Sequence, residues 1–268
     1  LAITSRRPQT TRHRLLGIHT HDGAQAVYVD TPGLNPRGAR ALGRQLNRTA
    51  AAALEEVDLA VMVVQGTHWR EADDFVLERV RAAGRPAIAA VNKVDLVRPK
   101  SALLEQLARL DGFGLFRDIV PVSAHTGVNV DRLAQVIAAA LPQGPALFPA
   151  DQVTDRGGAF FAAEAVREQL MRRLGDELPY ASTVEVEQFE VVEGRVVVHA
   201  VVWVERPGHK AIVIGRGGQM LKAIGTEARL ALARRLERRV ELRLYVKVRS
   251  GWTDDEAALR ALGYGDDA

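Results

Sequence analysis

The sequence predicts an α/β domain with a parallel, doubly covered sheet, followed by a smaller α+β domain. Three observations carry this. Short apolar runs end in polar clusters at residues 26–34 (AVYVDTPGL), 87–95 (AIAAVNKVD) and 119–127 (IVPVSAHTG). Helical patterns alternate with such runs, as they do when crossover helices cover a parallel sheet. Pro142, Gly144, Pro145 and Pro149 then punctuate the chain, and the pattern beyond them changes.

Each element follows from local pattern. Residues 1–13 are polar, basic and broken by Pro8, and read as a loop. Residues 14–20 and 24–30 form a hairpin turned at Asp22–Gly23. Residues 38–54 are helix-like and lead into an apolar strand at 58–64. A second helix covers 71–83, ahead of the strand at 87–92. Ser101 is expected to cap a third helix, with Glu105 four residues on. The last strand is 119–122, and a closing helix at 129–141 sets Leu133, Val136, Ile137 and Ala140 on one face. In the second domain a helix over 157–174 turns Ala163, Val166, Leu170 and Leu174 inward. Strands at 183–189 and 195–205 meet at Glu193–Gly194. Residues 219–236 place Leu221, Ile224, Ala228, Leu232 and Leu236 at helical spacing, and 240–248 alternates as a strand.

Composition bounds the function. At 268 residues, 47% hydrophobic and 26% charged, the chain has room for two globular domains. There is no cysteine, so disulfides and thiolate metal sites are excluded. The seven histidines show no helical i, i+4 pair and read as surface or internally satisfied groups. No apolar run approaches the ~20 residues that span a bilayer, and no signal peptide pattern opens the chain, so a cytoplasmic protein is expected. The pI of about 9.4 accompanies a formal charge of only +3. Much of the basic excess falls in residues 219–249, with nine Lys or Arg against three Glu, which suits a nucleic-acid partner.

The strand ends carry the chemistry. Asp30 closes a strand where open α/β sheets place ligands, and its carboxylate can hold hydrated Mg²⁺. Gly33 lets a backbone N–H approach a phosphate closely. Asp30-Thr31-Pro32-Gly33 alone is also an ordinary turn. Its weight comes from the order that follows: Asn92-Lys93-Val94-Asp95, then Ser123-Ala124 before His125.

That order resembles the guanine-nucleotide switch domain of the translation-factor-like, Ras-like P-loop GTPases. The resemblance implies GTP/GDP and Mg²⁺ as ligands. Asp95 would accept two hydrogen bonds from the N–H groups on one edge of guanine. Asn92 would tie loops together and reach the base, the Lys93 stem would lie over the ring, and the Ala124 N–H would donate to the guanine carbonyl. Gln9, Thr10, Thr11, Arg12 and His13 stand in the first switch, where a threonine senses Mg²⁺ and the γ-phosphate; Thr10 and Thr11 are both candidates. Leu34 follows the DTPG turn where some GTPases carry a water-orienting Gln. Leu cannot orient water by hydrogen bonding, so slow intrinsic hydrolysis is expected.

The sequence contains no G-x-x-x-x-G-K-S/T phosphate loop. In the resembled family that loop, its strand and its helix precede the equivalent of Leu1, and the strand lies beside the 26–30 and 58–64 strands. The expectation is a sequence that begins inside its domain; the rival is a P-loop-less scaffold attached to a nucleotide-independent RNA-binding module.

Ile214-Gly215-Arg216-Gly217-Gly218 resembles the G-x-x-G loop of a type II KH RNA-binding domain. That loop joins two helices, so residues 209–214 are expected to be helical although their local propensity is that of a strand. The glycines would let an RNA backbone lie against the loop, with Arg216 and Lys222 supplying charge.

Together the two domains resemble the Era family of bacterial ribosome-assembly GTPases across nearly the whole chain, in segments such as TSRRPQTTRH, VDTPGL, VNKVD and VKVRSGWTDDEAALRALGY. The family implies a G domain at 1–143, a linker at 144–155, a KH domain at 156–249 and an acidic C-terminal tail at 250–268. It further implies binding to the 3′ end of 16S rRNA, a role in 30S subunit assembly, a monomer, and peripheral association with the inner membrane. Nucleotide state would then shape the loops at 6–13 and 30–40 and so set RNA access to the KH groove.

Overall fold

The computed structural model describes residues 1–264 except 6, 22, 37, 39, 67 and 176. Asp22 of the expected hairpin turn and the last four residues of the expected tail lie outside the described residues.

The hairpin β1 (Leu15–His21) and β2 (Ala24–Asp30) pairs in full antiparallel register, Leu15 opposite Asp30. Helix α1 (Ala41–Glu56) follows, then β3 (Ala60–Gln65), α2 (Glu71–Ala83), β4 (Ala87–Asn92), α3 (Ser101–Asp111), β5 (Phe116–Pro121) and α4 (Val130–Ala140). Strands β3, β4 and β5 form a parallel sheet in that order. The central β4 is buried along its first five residues, as expected of a strand covered on both faces. One core packs Met62, Val64, Leu77, Val80 and Leu110 on one side of this sheet, and another packs Ile88, Val120, Val136 and Ile137 on the other. Among the described residues no ladder joins β2 to β3, so the hairpin is a sheet of its own. It meets the 144–155 segment instead: the Ile18 N–H donates to the Val153 carbonyl (3.0 Å), and Gln25 bonds the backbone of Leu147 and Phe148.

Ser101 is not a cap. Lys100 already has helical φ −64° and ψ −24°, so the turn starts a residue early and Ser101 lies inside α3.

The second domain runs α5 (Gly158–Arg173), β6 (Ser182–Val192), β7 (Arg195–Val204), α6 (Pro207–Ile214), α7 (Gln219–Leu236) and β8 (Arg239–Val248). Strand β7 is central, antiparallel to β6 and parallel to β8. Val166, Leu170, Val198, Val202, Ile224 and Leu232 fill its core. Residues 211–214 are helical despite their β-branched composition. Pro207 at the first turn favours the helix, and Gly215 ends it.

Residues 250–264, expected as an acidic tail, fold instead. A 3₁₀ turn at Trp252–Asp254 leads into α8 (Glu256–Ala261), which Asp255 caps through the N–H groups of Ala257 and Ala258. Trp252, Leu259 and Tyr264 are buried against Ala41, Leu42 and Leu46 of α1. Interleaved apolar residues and a cap outweigh the acidic composition.

Candidate functional site

The base-reading corner forms where β4 and β5 end. Asn92 closes β4, and its carbonyl accepts the Gly66 N–H (2.7 Å). Its side-chain Oδ1 accepts two backbone N–H groups, Lys93 at 2.7 Å and Ala124 at 3.0 Å, so it ties the loop after β4 to the loop after β5. Lys93 takes a left-handed φ of 65°, which turns the chain sharply enough to bring Asp95 back over the site. Val94 is buried and its N–H donates to the Val122 carbonyl (3.2 Å). The fully buried Ser123 donates its hydroxyl to Asp95 Oδ1 at 2.6 Å and accepts the Thr126 N–H at 3.2 Å. The Ser123 hydroxyl, more than the nearby His125 and Arg98, holds the Asp95 carboxyl below the ordinary carboxylate range. The result is a half-exposed, ionised acceptor whose rotamer is fixed on one side, an acceptor that fits the paired N–H donors on one edge of guanine.

One expectation changes here. The Ala124 N–H, assigned to the guanine carbonyl, is engaged by Asn92, because Asn92 Oδ1 faces it across the corner. Lys93 and His125 are exposed.

Of the two candidate threonines, Thr11 reaches the end of β2, with its hydroxyl donating to Asp30 Oδ2 at 3.3 Å. Thr10 does not: its hydroxyl donates to the Arg7 carbonyl (2.8 Å) and lies 2.6 Å from Ser5 Oγ, inside the turn that Gln9 makes with φ 55°. Burial pushes the Asp30 carboxyl up, and the Thr11 hydroxyl and Thr31 backbone N–H partly oppose this. A carboxylate and a hydroxyl side by side suit Mg²⁺. Among the described residues no three His, Cys, Asp or Glu cluster, so the ion's remaining ligands would come from phosphate and water. Pro32 is buried, whereas Gly33 is exposed and a Cβ there would meet nothing within 4 Å.

The rest of the first switch points at the second domain. Arg12 is buried and donates to the carbonyls of Pro179, ahead of β6, and of Ser182, its first residue, both at 2.8 Å. Arg7 donates to the Leu174 carbonyl (2.6 Å) and Tyr180 to the Pro8 carbonyl (3.2 Å). His13 stacks on Tyr264 at 4.7 Å and meets Phe160 edge-on at 5.8 Å. Beneath it lies the buried pair Glu164–Arg167 (2.6 Å). Burial pushes the Glu164 carboxyl up, but the charge and hydrogen bonds of Arg167 outweigh this and hold it low. No sequence pattern marked these contacts.

In the loop between α6 and α7, Gly215 has φ 73° and ψ 174°, and a Cβ there would lie 2.7 Å from Met220 Cβ. Gly217 and Gly218 have φ 56° and 78° with open space around them. Arg216, Gly217 and Lys222 are exposed, and Ile214 and Gly218 half-buried. Glycine is therefore a packing requirement at the first position and leaves room for a ligand at the later two.

A family model described as a 50S ribosome-binding GTPase matches residues 1–93, and one described as a KH domain matches residues 177–253. The GTPase Era of Yersinia pestis (strain Pestoides F) is 49% identical over all 268 residues, which span 88% of that protein. This chain belongs to the Era family of GTPases. The Era protein of Yersinia pseudotuberculosis (serotype O:1b) shows the same identity and coverage. Two solved Era structures superpose with TM-score 0.94 at 33% identity, covering 98% of this chain and 90% of theirs. One is an Aquifex aeolicus Era variant bound to GDP·AlF4⁻; the other holds MgGDPNP and nucleotides 1506–1542 of 16S rRNA. As an Era-family member the chain is a GTPase with a guanine-nucleotide domain and a KH domain.

Proposed function

We propose that this protein hydrolyses GTP and binds the 3′ end of 16S rRNA in the cytoplasm during 30S subunit assembly, with nucleotide state governing RNA access. Asp95 and Asn92 read the base, and Thr11 with Asp30 holds Mg²⁺ beside the phosphates. The 214–218 loop and Lys222 grip the RNA backbone. Leu34 leaves the attacking water without a hydrogen-bonding guide, so unaided turnover is slow. The observation that carries the reading is the pair of bonds at the strand ends, Ser123 to Asp95 and Ala124 to Asn92, which fix the corner and leave Asp95 a pre-set acceptor. It is supported by the likeness to an Era that holds MgGDPNP and 16S rRNA nucleotides together.

The test is nucleotide preference in the full gene product. Asp95→Asn replaces one of two acceptors by a donor, so GTP binding and hydrolysis should fall by about tenfold or more and xanthosine triphosphate should gain. If the variant rejects xanthosine triphosphate as strongly as the parent, Asp95 is not the base reader.

A further inference from the structure

We propose that residues 250–264 form a latch through which the loops at 6–13 and 30–40 set the position of α6, and with it the 214–218 loop proposed to grip RNA, with Asp254 and Tyr264 as its positioning residues. The proposal rests on the nucleotide-linked RNA binding proposed above.

One half of the latch holds the end of the loop at 30–40. Helix α1 begins where the loop after Asp30 ends, has no acidic residue in its first turn, and receives no side-chain cap from Arg40. Helix N-termini carry unpaired N–H groups and favour negative charge. Here the group comes from far along the chain: Asp254 Oδ1 accepts the Ala41 N–H at 3.0 Å. Beside it, Arg40 reaches Glu205 Oε2 and Thr253 Oγ1, both at 3.5 Å, and the Thr253 hydroxyl donates to Glu205. Glu205 is buried at the end of β7, two residues before α6, which runs directly into the Gly215 loop. The last residue before α1 and the root of α6 thus share one carboxylate.

The other half holds the first switch. The His13 ring lies flat on Tyr264, with 16° between the planes, and the Tyr264 hydroxyl pairs with Thr183 Oγ1 at 2.8 Å near the start of β6. Trp252 and Tyr264 stack at 6.2 Å, joining the two halves inside the core built on α1. If α1 moves, Ala41 loses its acceptor. If the first switch withdraws, Tyr264 loses the ring that covers it.

A segment that only fills a hydrophobic gap would be indifferent to Asp254, which is exposed. The measurement is a coupling ratio on the full gene product: the dissociation constant for RNA nucleotides 1506–1542 with GDP, divided by that with a non-hydrolysable GTP analogue. Coupling between sites commonly amounts to about fivefold or more, and the parent should show at least that. Asp254→Ala should bring the ratio to within about twofold of one, by weakening RNA binding in the GTP-analogue state alone. Asp254→Asn keeps an acceptor for Ala41 and should restore most of the ratio. Tyr264→Phe keeps the ring and loses the Thr183 bond, and should fall between. If Asp254→Ala and Tyr264→Phe both retain the parent's ratio while folded by circular dichroism, the latch is overturned. A parent ratio of one would remove the nucleotide linkage itself, and the latch with it.

Discussion

Replacing Arg216 and Gly217 together by aspartate makes the α6–α7 loop three units more negative, two from Arg216→Asp and one from Gly217→Asp. Both positions are exposed, and a Cβ on residue 217 meets nothing within 4 Å. Aspartate tolerates the left-handed backbone that φ 56° imposes there, so the folding cost should stay below about 1 kcal/mol. Against a phosphate about 6 Å away in water, each unit of charge is worth about 0.7 kcal/mol. Three units amount to about 2 kcal/mol, or about thirtyfold in affinity. Losing Arg216 as a phosphate contact should also flatten the plot of log affinity against log salt by about 0.7. The assay is fluorescence anisotropy with a single-stranded oligonucleotide copying the 3′ end of 16S rRNA, over a salt series, with circular dichroism to verify folding. If the loop is merely a helix-terminal turn, the folded double variant binds as tightly as the parent and with the same salt slope, and that result would refute the assignment.

Gly215→Ala and Gly217→Ala separate packing from backbone strain in the same loop. Both sit at positive φ, but only residue 215 has Met220 Cβ within 2.7 Å and the glycine-only φ/ψ of 73° and 174°. Thermal melts should show a loss of about 2–3 kcal/mol for the first and about 1 kcal/mol for the second; equal losses would contradict the packing. A third expectation concerns acid. Burial, aided by Arg167, Arg12 and Arg156 and opposed by Glu164, lowers the His13 pKa from 6.5 to about 4. Between those values the unfolded chain binds more protons than the folded one, so stability falls as pH drops through 6.5 toward 4 and is untouched by this group above that window. The full gap is worth about 3 kcal/mol. His13→Phe keeps the stack on Tyr264 without the titration, so the urea midpoints of parent and variant should diverge on acidification; parallel profiles would show that His13 is not held neutral.

What was legible in the sequence was periodic or positional. Helices at Glu71–Ala83 and Gln219–Leu236 stand at the expected bounds because their apolar stripes are uninterrupted and glycine adjoins one end of each. The Asp95 and Asn92 corner was legible because short motifs at successive strand ends imply a shared edge. The choice between Thr10 and Thr11 was not, since adjacent residues in a loop carry no periodicity and only the left-handed turn at Gln9 separates their directions. The C-terminal segment was misread for a related reason. Its apolar residues, Trp252, Leu259 and Tyr264, are spaced too irregularly for a period, and Asp254, Asp255 and Glu256 dominate its composition while two of them serve as helix caps. Contacts such as Arg12 with the Pro179 and Ser182 carbonyls join residues 167 or more positions apart, and nothing local announces them.

Those Arg12 bonds have a practical consequence at high ionic strength. A guanidinium bound to carbonyls inside the protein is screened little by salt, unlike a guanidinium facing a phosphate in solvent. Arg12 ends on backbone oxygens of the second domain and is buried. A salt wash strong enough to strip RNA from Arg216 and Lys222 should therefore leave the two domains docked through the first switch, so that RNA can be released from the protein without taking its halves apart.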